Sequence, residues 1–345
     1  MATTPCNEKY LQMLKMQGLR TDKLYNETAR SLAVVMKRHK VNPNVTDVWK
    51  GVNSVVEKDV DKVFKKFANA MTANISQGVS EGWMLSNVCN DVMVNDYING
   101  IDIKKDDRLK LFSRNTKALE AFTNRKVQGM NLSDRVWKIS TDTKAQLEQV
   151  LSSGILEGKA SQAMTTDLRK FLKEPNKLFR RVRDEKGNLK LSKPAMDYHP
   201  GRGVNRSSYK NALRLARNEV NIAYHTADNV RRQGLPFVLG FKVNLSNAHK
   251  VYDICDEMTG EYPKEFLFTG WHTNCLCYTT SVKLTKAEFI EHLNGKPITK
   301  QITDIPDKAK KFVSDNAEKI KGLKSPPYFI KDNFKEKDGY LLNLK

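Results

Sequence analysis

No stretch of the 345 residues approaches the roughly 20 consecutive apolar residues that a membrane span requires, so the chain is expected to make no membrane contact of that kind. The opening segment, Met1 to Gln17, is polar with scattered leucines and lacks the charged, then apolar, then small-residue order of a secretory leader. Cysteine is sparse: Cys6, Cys89, Cys255, Cys275 and Cys277 make an odd count in a large chain. That count argues against a secreted disulfide framework and leads to the expectation of reduced thiols in a reducing cytoplasm. No G-x-x-x-x-G-K-[ST] loop, G-x-G-x-x-G turn, H-E-x-x-H helix or G-x-S-x-G elbow occurs, which removes the common nucleotide, dinucleotide, metalloprotease and hydrolase signatures. Collagen, coiled-coil rods and disulfide miniproteins are excluded by composition, and there is no internal repeat or low-complexity tract.

Acidic residues are also in deficit. Lys and Arg number 59 against 39 Asp and Glu, a formal charge of +20 and a pI near 9.6. Such a charge costs self-repulsion in a compact state and fits a polyanionic partner: nucleic acid, an acidic membrane face or an acidic protein surface. With 39% hydrophobic residues and roughly 100–200 residues per domain, two or three domains are expected.

The first third reads as helical from about Thr21 to Arg125. In Asn53 to Phe67 the residues Val56, Val60, Val63, Phe64 and Phe67 fall on one helix face, with Lys and Asp on the other as a solvated surface. Gly78 to Gly82 with Trp83, and Asn99-Gly100, are expected breaks between helices. Leu132 to Leu172 predicts two or three short helices, with Ser140, Thr141 or Asp142 as an N-cap and Gly154 and Gly158 as terminators. Leu178 to Ser192 then predicts a β-hairpin turning at Lys186-Gly187-Asn188.

That hairpin lies in the most basic part of the chain. Between Arg169 and Lys193 ten Lys and Arg face three acids. Arg180, Arg181, Arg183 and Lys186 could track phosphates, each neutralised phosphate releasing counterions. The lack of interleaved aromatics gives more weight to an acidic protein surface, and both remain open. Gly201-Arg202-Gly203 reads as a basic linker. A longer helix is expected from about Ser207 to Gln233, with Leu213, Ala216, Val220, Ala223, Ala227 and Val230 as its buried stripe and Arg206, Lys210, Arg214 and Arg217 on another face. Arg217 and Glu219 stand about 200° apart on the helical wheel, so each needs its own partner. The interval from Arg202 to Arg232 carries seven Lys and Arg against two acids and is read with the hairpin as one focused basic surface.

Gly234-Leu235-Pro236 ends this helix. Phe237 to Val243, with Gly240 inside it, and Cys277 to Lys283 are strand candidates. Between them lie Asp253-Ile254-Cys255-Asp256, a turn at Thr259 to Pro263, and Trp271-His272-Thr273-Asn274-Cys275-Leu276-Cys277. Cys275 and Cys277, two apart, face the same side of an extended segment; His272 could fold onto them and Cys255 could close a tetrahedral zinc site. Four readings stand side by side: a zinc site, packed reduced thiols holding a small β core, a disulfide, and a Cys/His nucleophilic dyad, for which no orienting third group or oxyanion hole is specified. Asp91, Asp96, Asp102, Asp106 and Asp107 show no metal-loop pattern and read as exposed. Beyond Pro297, a helix from about Lys308 to Ile320 and Ser325-Pro326-Pro327-Tyr328-Phe329 suggest a docking strap.

The order Leu215-Ala216-Arg217-Asn218-Glu219-Val220, a strand some twenty residues later, Asp253-x-Cys255, Gly260, then His272-x-x-Cys275-x-Cys277 resembles the phage head morphogenesis family of Mu protein F-like minor head proteins. The text from Pro200 to Glu219 is especially similar to members from phages and prophages of Bacteroidales bacteria. The resemblance covers roughly Leu132 to Lys283. Asn218 stands where the family usually has Thr, Leu276 where it has Arg, and Met258 where many relatives carry a second Cys. It implies structural motif roles for Arg217, Glu219, Asp253 and Gly260, and a non-enzymatic minor capsid protein of the virion head, made beside the portal protein. Its expected partners are the portal protein, the major capsid protein or scaffold, and double-stranded DNA. The rival expectation is an effector or enzyme packaged in the virion and ejected with the genome, built on the His/Cys cluster.

The expected fold is α+β, predominantly helical, with a β-hairpin arm and a small C-terminal β-containing core. The expected segments are a helical region over 1–130, a helical segment plus basic arm over 131–200, a Mu F-like core over 201–297 and a docking tail over 298–345.

Overall fold

A computed structural model of the chain describes residues 5–39, 54–152, 160–178, 181–193, 196, 204–336 and 340–343. The fold is α+β and predominantly helical with small antiparallel sheets, as expected. In chain order the helices are α1 (Pro5–Arg38), α2 (Ser54–Ile98), α3 (Lys105–Leu111), α4 (Thr116–Thr123), α5 (Leu132–Ser152), α6 (Ser161–Lys173) and α7 (Ser208–Gln233), followed by the short α8 (Ile254–Glu257), α9 (Lys286–Leu293), α10 (Asp307–Asp315), α11 (Ala317–Lys321) and α12 (Tyr328–Asn333). The strands are β1 (Arg181–Arg183), β2 (Leu189–Leu191), β3 (Val238–Asn244), β4 (Gly260–Pro263), β5 (Tyr278–Lys283), β6 (Phe334–Glu336) and β7 (Tyr340–Leu342).

The chain divides into two compact units, neither contiguous: Met1–Leu14, Gly78–Thr123 and Asn218–Lys345 form one, and Lys15–Gln77 with Asn124–Arg217 form the other. Linear boundaries at 130, 200 and 297 are therefore not the boundaries of packing, because long helices cross from one unit into the other.

In the second unit the apolar face foreseen on α2 is buried at Val56, Val60, Phe64 and Phe67, with Val63 half-buried. Tyr25 sits edge-on to Phe67 and to Tyr209, with ring centroids 4.9 and 5.0 Å away, and its hydroxyl meets Thr143 Oγ1 at 3.2 Å. Ser140, Thr141 and Asp142 do not cap a helix; they lie inside α5. Ser140 Oγ donates to the Phe64 carbonyl and Thr141 Oγ1 to that of Trp137, so hydroxyls that suit a cap are spent on carbonyls instead. Gln146 Nε2 donates to the carbonyls of Phe171 and Leu172 at the end of α6. Gly154 and Gly158 lie outside the described residues. The hairpin forms with Arg181 opposite Leu191 and Arg183 opposite Leu189. Asp184 Oδ1 accepts from the backbone of Lys186 and Asn188, and Gly187 takes φ +81°, the left-handed conformation glycine adopts at least cost.

The first unit is built around the three-stranded sheet β4-β3-β5, all antiparallel. Phe241 and Val243 of β3, Tyr262 of β4, and Phe266, Phe268 and Trp271 of the following loop fill its main core. The segment Gly260 to Pro263 is a strand paired with Gly240 to Val243, not the expected turn. Gly78 to Gly82 does not break α2. A Cβ at Gly82 would stand 3.1 Å from the Val220 carbonyl, so this glycine serves a close approach between helix backbones. Asn99-Gly100 does follow the end of α2, with Gly100 at φ +82°. The expected helix from Lys308 to Ile320 is split at Asn316 into α10 and α11. The C-terminal segment is no loose strap: Ala309, Val313, Phe329, Ile330 and Phe334 are buried in the main core. Cys6 and Cys89 are joined by a disulfide with Cα atoms 5.9 Å apart, which corrects the expectation of five reduced thiols; Cys255, Cys275 and Cys277 remain free and buried.

Candidate functional site

Asp253 starts the site. Its Oδ1 accepts from the Cys255 N–H at 2.7 Å, while Asp256 Oδ2 accepts from the Asp253 N–H at 2.8 Å, a reciprocal cap that winds the single turn of α8. That turn fixes Cys255 pointing inward, 1% exposed. The opposite wall is the segment from Gly270 to Cys277. Gly270 adopts φ +99°, and a Cβ there would meet Cys275 Cβ and Asn221 Nδ2 at 3.1 Å each. Trp271 anchors the segment in the core, 4.8 Å from Phe268 and 5.4 Å from Phe329 between ring centroids. The turn closes when the Cys275 N–H donates to the His272 carbonyl, with Asn274 at φ +63°.

These two walls bring Cys255 Sγ to 3.1 Å from His272 Nε2 and 3.7 Å from Cys275 Sγ. The donor atoms of Cys255, His272 and Cys275 all lie within 4.8 Å of one another. Cys277 is buried as well. The sulfur contacts hold the Cys275 thiol well below the usual range while pushing Cys255 up, and Cys277 is raised by Cys275 and by burial. His272 Nδ1 donates to the Thr273 carbonyl at 2.9 Å, which fixes the ring with Nε2 facing the Cys255 sulfur. Asp253 Oδ2 lies 3.3 Å from that same Nε2. In a nucleophilic triad the carboxylate holds the ring nitrogen opposite the nucleophile; here thiol and carboxylate both face Nε2. Of the expected cluster, Cys255, His272 and Cys275 converge and Asp253 joins them, while Cys277 is buried two residues further along. Gly260, at φ +137°, begins β4, where a Cβ would collide with Pro306.

Helix α7 presents an amide and imidazole row to this core. Asn221 Nδ2 donates to the Thr269 carbonyl at 3.4 Å and Asn229 Nδ2 to that of Phe266 at 3.0 Å, holding the loop that leads into Trp271. His225 lies between them in the row, and burial pulls its pKa down to about 4. Tyr10 donates its hydroxyl to Asn221 Oδ1. From the other side, Asn333 bonds both the N–H and the carbonyl of Leu267. Sequence reasoning passed over these amides; the signal was their spacing of four, Asn221-His225-Asn229, inside an otherwise alanine-lined stripe. Glu219, one of the motif residues, is buried at 2%.

The expected basic surface is partly assembled. In the second unit a cavity of about 880 Å³ is lined by Lys170, Lys173, Lys177, Arg181, Arg206, Lys210 and Tyr209. Lys177 pairs with Glu174 at 2.6 Å and Lys173 with Asp22, so some of this charge is neutralised internally. Arg183 and Lys186 sit at the hairpin turn, where Arg183 donates to the Gly187 carbonyl, and do not line the cavity. Arg214 and Arg217 lie further along α7; Arg217 is exposed and its guanidinium covers Gly18. Arg180 lies outside the described residues.

Two arginines counted toward that surface are not on it. Arg231 Nη2 binds Asp91 at 2.5 Å, and Arg232, 1% exposed, binds Asp228 at 2.6 Å and lies over the Phe241 ring at 4.1 Å. Adjacent positions near the end of a helix gave no hint that both would face inward. Asp91, expected to be exposed, is the counter-ion of Arg231 and also of Arg114, whose Nη2 lies 2.7 Å away. Among the described residues no helix is long and apolar enough to cross a membrane. Comparison with known proteins returns no matching family model, no matching curated protein and no matching solved structure.

Proposed function

We propose that this chain is a phage minor head protein that acts in head morphogenesis, docking near the portal within the capsid. The observation that carries the reading is convergence. Asp253, Cys255, His272 and Cys275, spread over 23 positions and chosen on sequence order alone, meet at one centre, its two thiols buried and its imidazole and carboxylate partly exposed. A chance match to a motif predicts no such meeting. The basic cavity around Arg181, Arg206 and Lys210 supports a polyanionic neighbour, either an acidic face of the portal, major capsid protein or scaffold, or packaged double-stranded DNA. The chain would then be made in the host cytoplasm and reside in the virion head.

The test is co-expression with the portal protein that this reading expects to be encoded beside the chain. Capture of the portal should recover the chain, and charge reversal at Arg181, Arg206 and Lys210 should weaken recovery if the cavity is the contact. No recovery from any pairing with portal, capsid protein or scaffold would overturn the reading. The rival, an ejected effector or enzyme, draws on the 3.1 Å contact between Cys255 and His272. It predicts that His272→Ala and Cys277→Ala leave a folded chain without activity, whereas the head-protein reading predicts loss of folding or solubility.

A further inference from the structure

We propose that Cys255, His272, Cys275 and Cys277 bind one zinc ion that ties the α8 turn to the segment entering β5. The inference stands on the geometry of the centre and goes beyond the head-protein reading, whose failure would leave it intact.

Three buried thiols and an imidazole have four uses in a protein core, and the distances separate them. A disulfide between Cys255 and Cys275 would need sulfurs about 2.05 Å apart, against the 3.7 Å observed. In tetrahedral coordination with Zn–S near 2.3 Å, two ligating sulfurs stand about 3.8 Å apart, which is the observed separation. The corresponding nitrogen-to-sulfur edge is about 3.6 Å, so an ion would open the 3.1 Å contact between His272 and Cys255 by about half an ångström. A nucleophilic centre would place Asp253 on the far ring nitrogen; that nitrogen instead donates to the Thr273 carbonyl. A backbone carbonyl accepting from Nδ1, with Nε2 turned toward the thiols, is the orientation that metal-bound histidines show. Simple packing of neutral thiols explains burial but not why an imidazole nitrogen is turned onto the Cys255 sulfur.

Cys277 is the fourth ligand by chemistry and position. It is buried and free, two residues beyond Cys275 on the same segment. Asp253 is committed elsewhere through Oδ1, its cap to the Cys255 N–H, and acts from outside the coordination shell through Oδ2. A second set, His249, Asp253 and Cys255, also brings its donor atoms within 4.8 Å. It offers a single thiol, and His249 Nε2 is already held by Asp256 at 2.8 Å. Thiolate-rich, closed sites of this kind are structural zinc sites.

The full chain, purified under reducing conditions in the presence of zinc and then desalted, is measured by elemental analysis. About one zinc per chain is expected. Replacement by cobalt should give thiolate-to-cobalt charge-transfer bands of three-thiolate intensity with tetrahedral d–d absorption, and this reading needs no variant to fold. Cys275→Ser and His272→Ala should lose the metal, Cys277→Ser should leave a two-thiolate cobalt spectrum, and His249→Ala should retain one zinc. A folded wild-type chain with zinc below about a tenth per chain and no charge-transfer band would overturn the proposal. So would metal retained by Cys275→Ser but lost by His249→Ala.

Discussion

Replacing Asp228 by Ala removes the counter-ion of an arginine that water cannot reach. Asp228 accepts from Arg232 Nη2 at 2.6 Å, Thr279 Oγ1 at 2.6 Å and Asn90 Nδ2 at 2.9 Å. Arg232 is 1% exposed, and burial already pulls its pKa down. An exposed ion pair is worth about 0–1 kcal/mol, but stripping one partner from a buried pair costs about 3–5 kcal/mol because the remaining charge is stranded. The expected loss for Asp228→Ala is therefore about 3–5 kcal/mol of unfolding free energy. Converting the arginine as well should return much of it: Arg232→Met in the Asp228→Ala background keeps a long apolar stem over Phe241 and removes the stranded charge. The assay is urea denaturation of wild type, both single variants and the double variant, read by near-ultraviolet circular dichroism. A loss under about 1 kcal/mol for Asp228→Ala, or a double variant no more stable than Asp228→Ala, would refute the assignment of Arg232 to the core rather than to a basic surface.

Gly240→Ala should destabilise the first unit by about 1–3 kcal/mol, because its Cβ would lie 2.5 Å from the Tyr262 carbonyl and 2.8 Å from Ile302 Cδ1. Gly234→Ala, whose Cβ meets only the Arg231 carbonyl at 3.5 Å, should be near neutral by the same denaturation assay. Glu288 is held down to about 2 by its ion pair with Lys300 and its cap at Thr285. A carboxylate lowered on folding stabilises above its unfolded pKa and loses that contribution as pH falls through the folded one. Glu288→Gln should thus lower Tm at pH 7, with the deficit closing only below about pH 4.5; a deficit unchanged down to pH 3 would contradict this. If DNA is the polyanion, Arg206→Gln with Lys210→Gln should reduce the slope of log affinity against log salt by roughly 2. An unchanged slope would remove these side chains from the phosphate contact.

Elements whose physics is local were readable from the chain. The buried face of α2, the alanine stripe of α7 and the hairpin at Asp184 to Asn188 follow from residue spacing and turn chemistry, and they formed as expected. The approach of His272 to Cys255 was anticipated from donor type, although 17 positions separate them. What escaped depends on partners distant in sequence. Gly82 reads as a helix break until Val220 is seen against it, and Ser140 reads as a cap until the Phe64 carbonyl takes its hydroxyl. Gly260 to Pro263 has a turn's composition, yet β3 supplies the ladder that makes it a strand. Arg231 and Arg232 carry the same charge on the page as Arg206 and Lys210; only Asp91 and Asp228 distinguish them. The aromatic tail looked like a strap because nothing in Phe329 or Phe334 announces Trp271 and Phe266 as neighbours.

Residence in the virion head is the claim on which the functional account turns. Quantitative mass spectrometry of gradient-purified, nuclease-treated particles induced from the strain that encodes this chain tests it most directly. The account predicts that the chain is present at a small, constant ratio to the major capsid protein in every fraction containing intact heads. Its absence from those particles, with the chain abundant in the lysate that produced them, would contradict it.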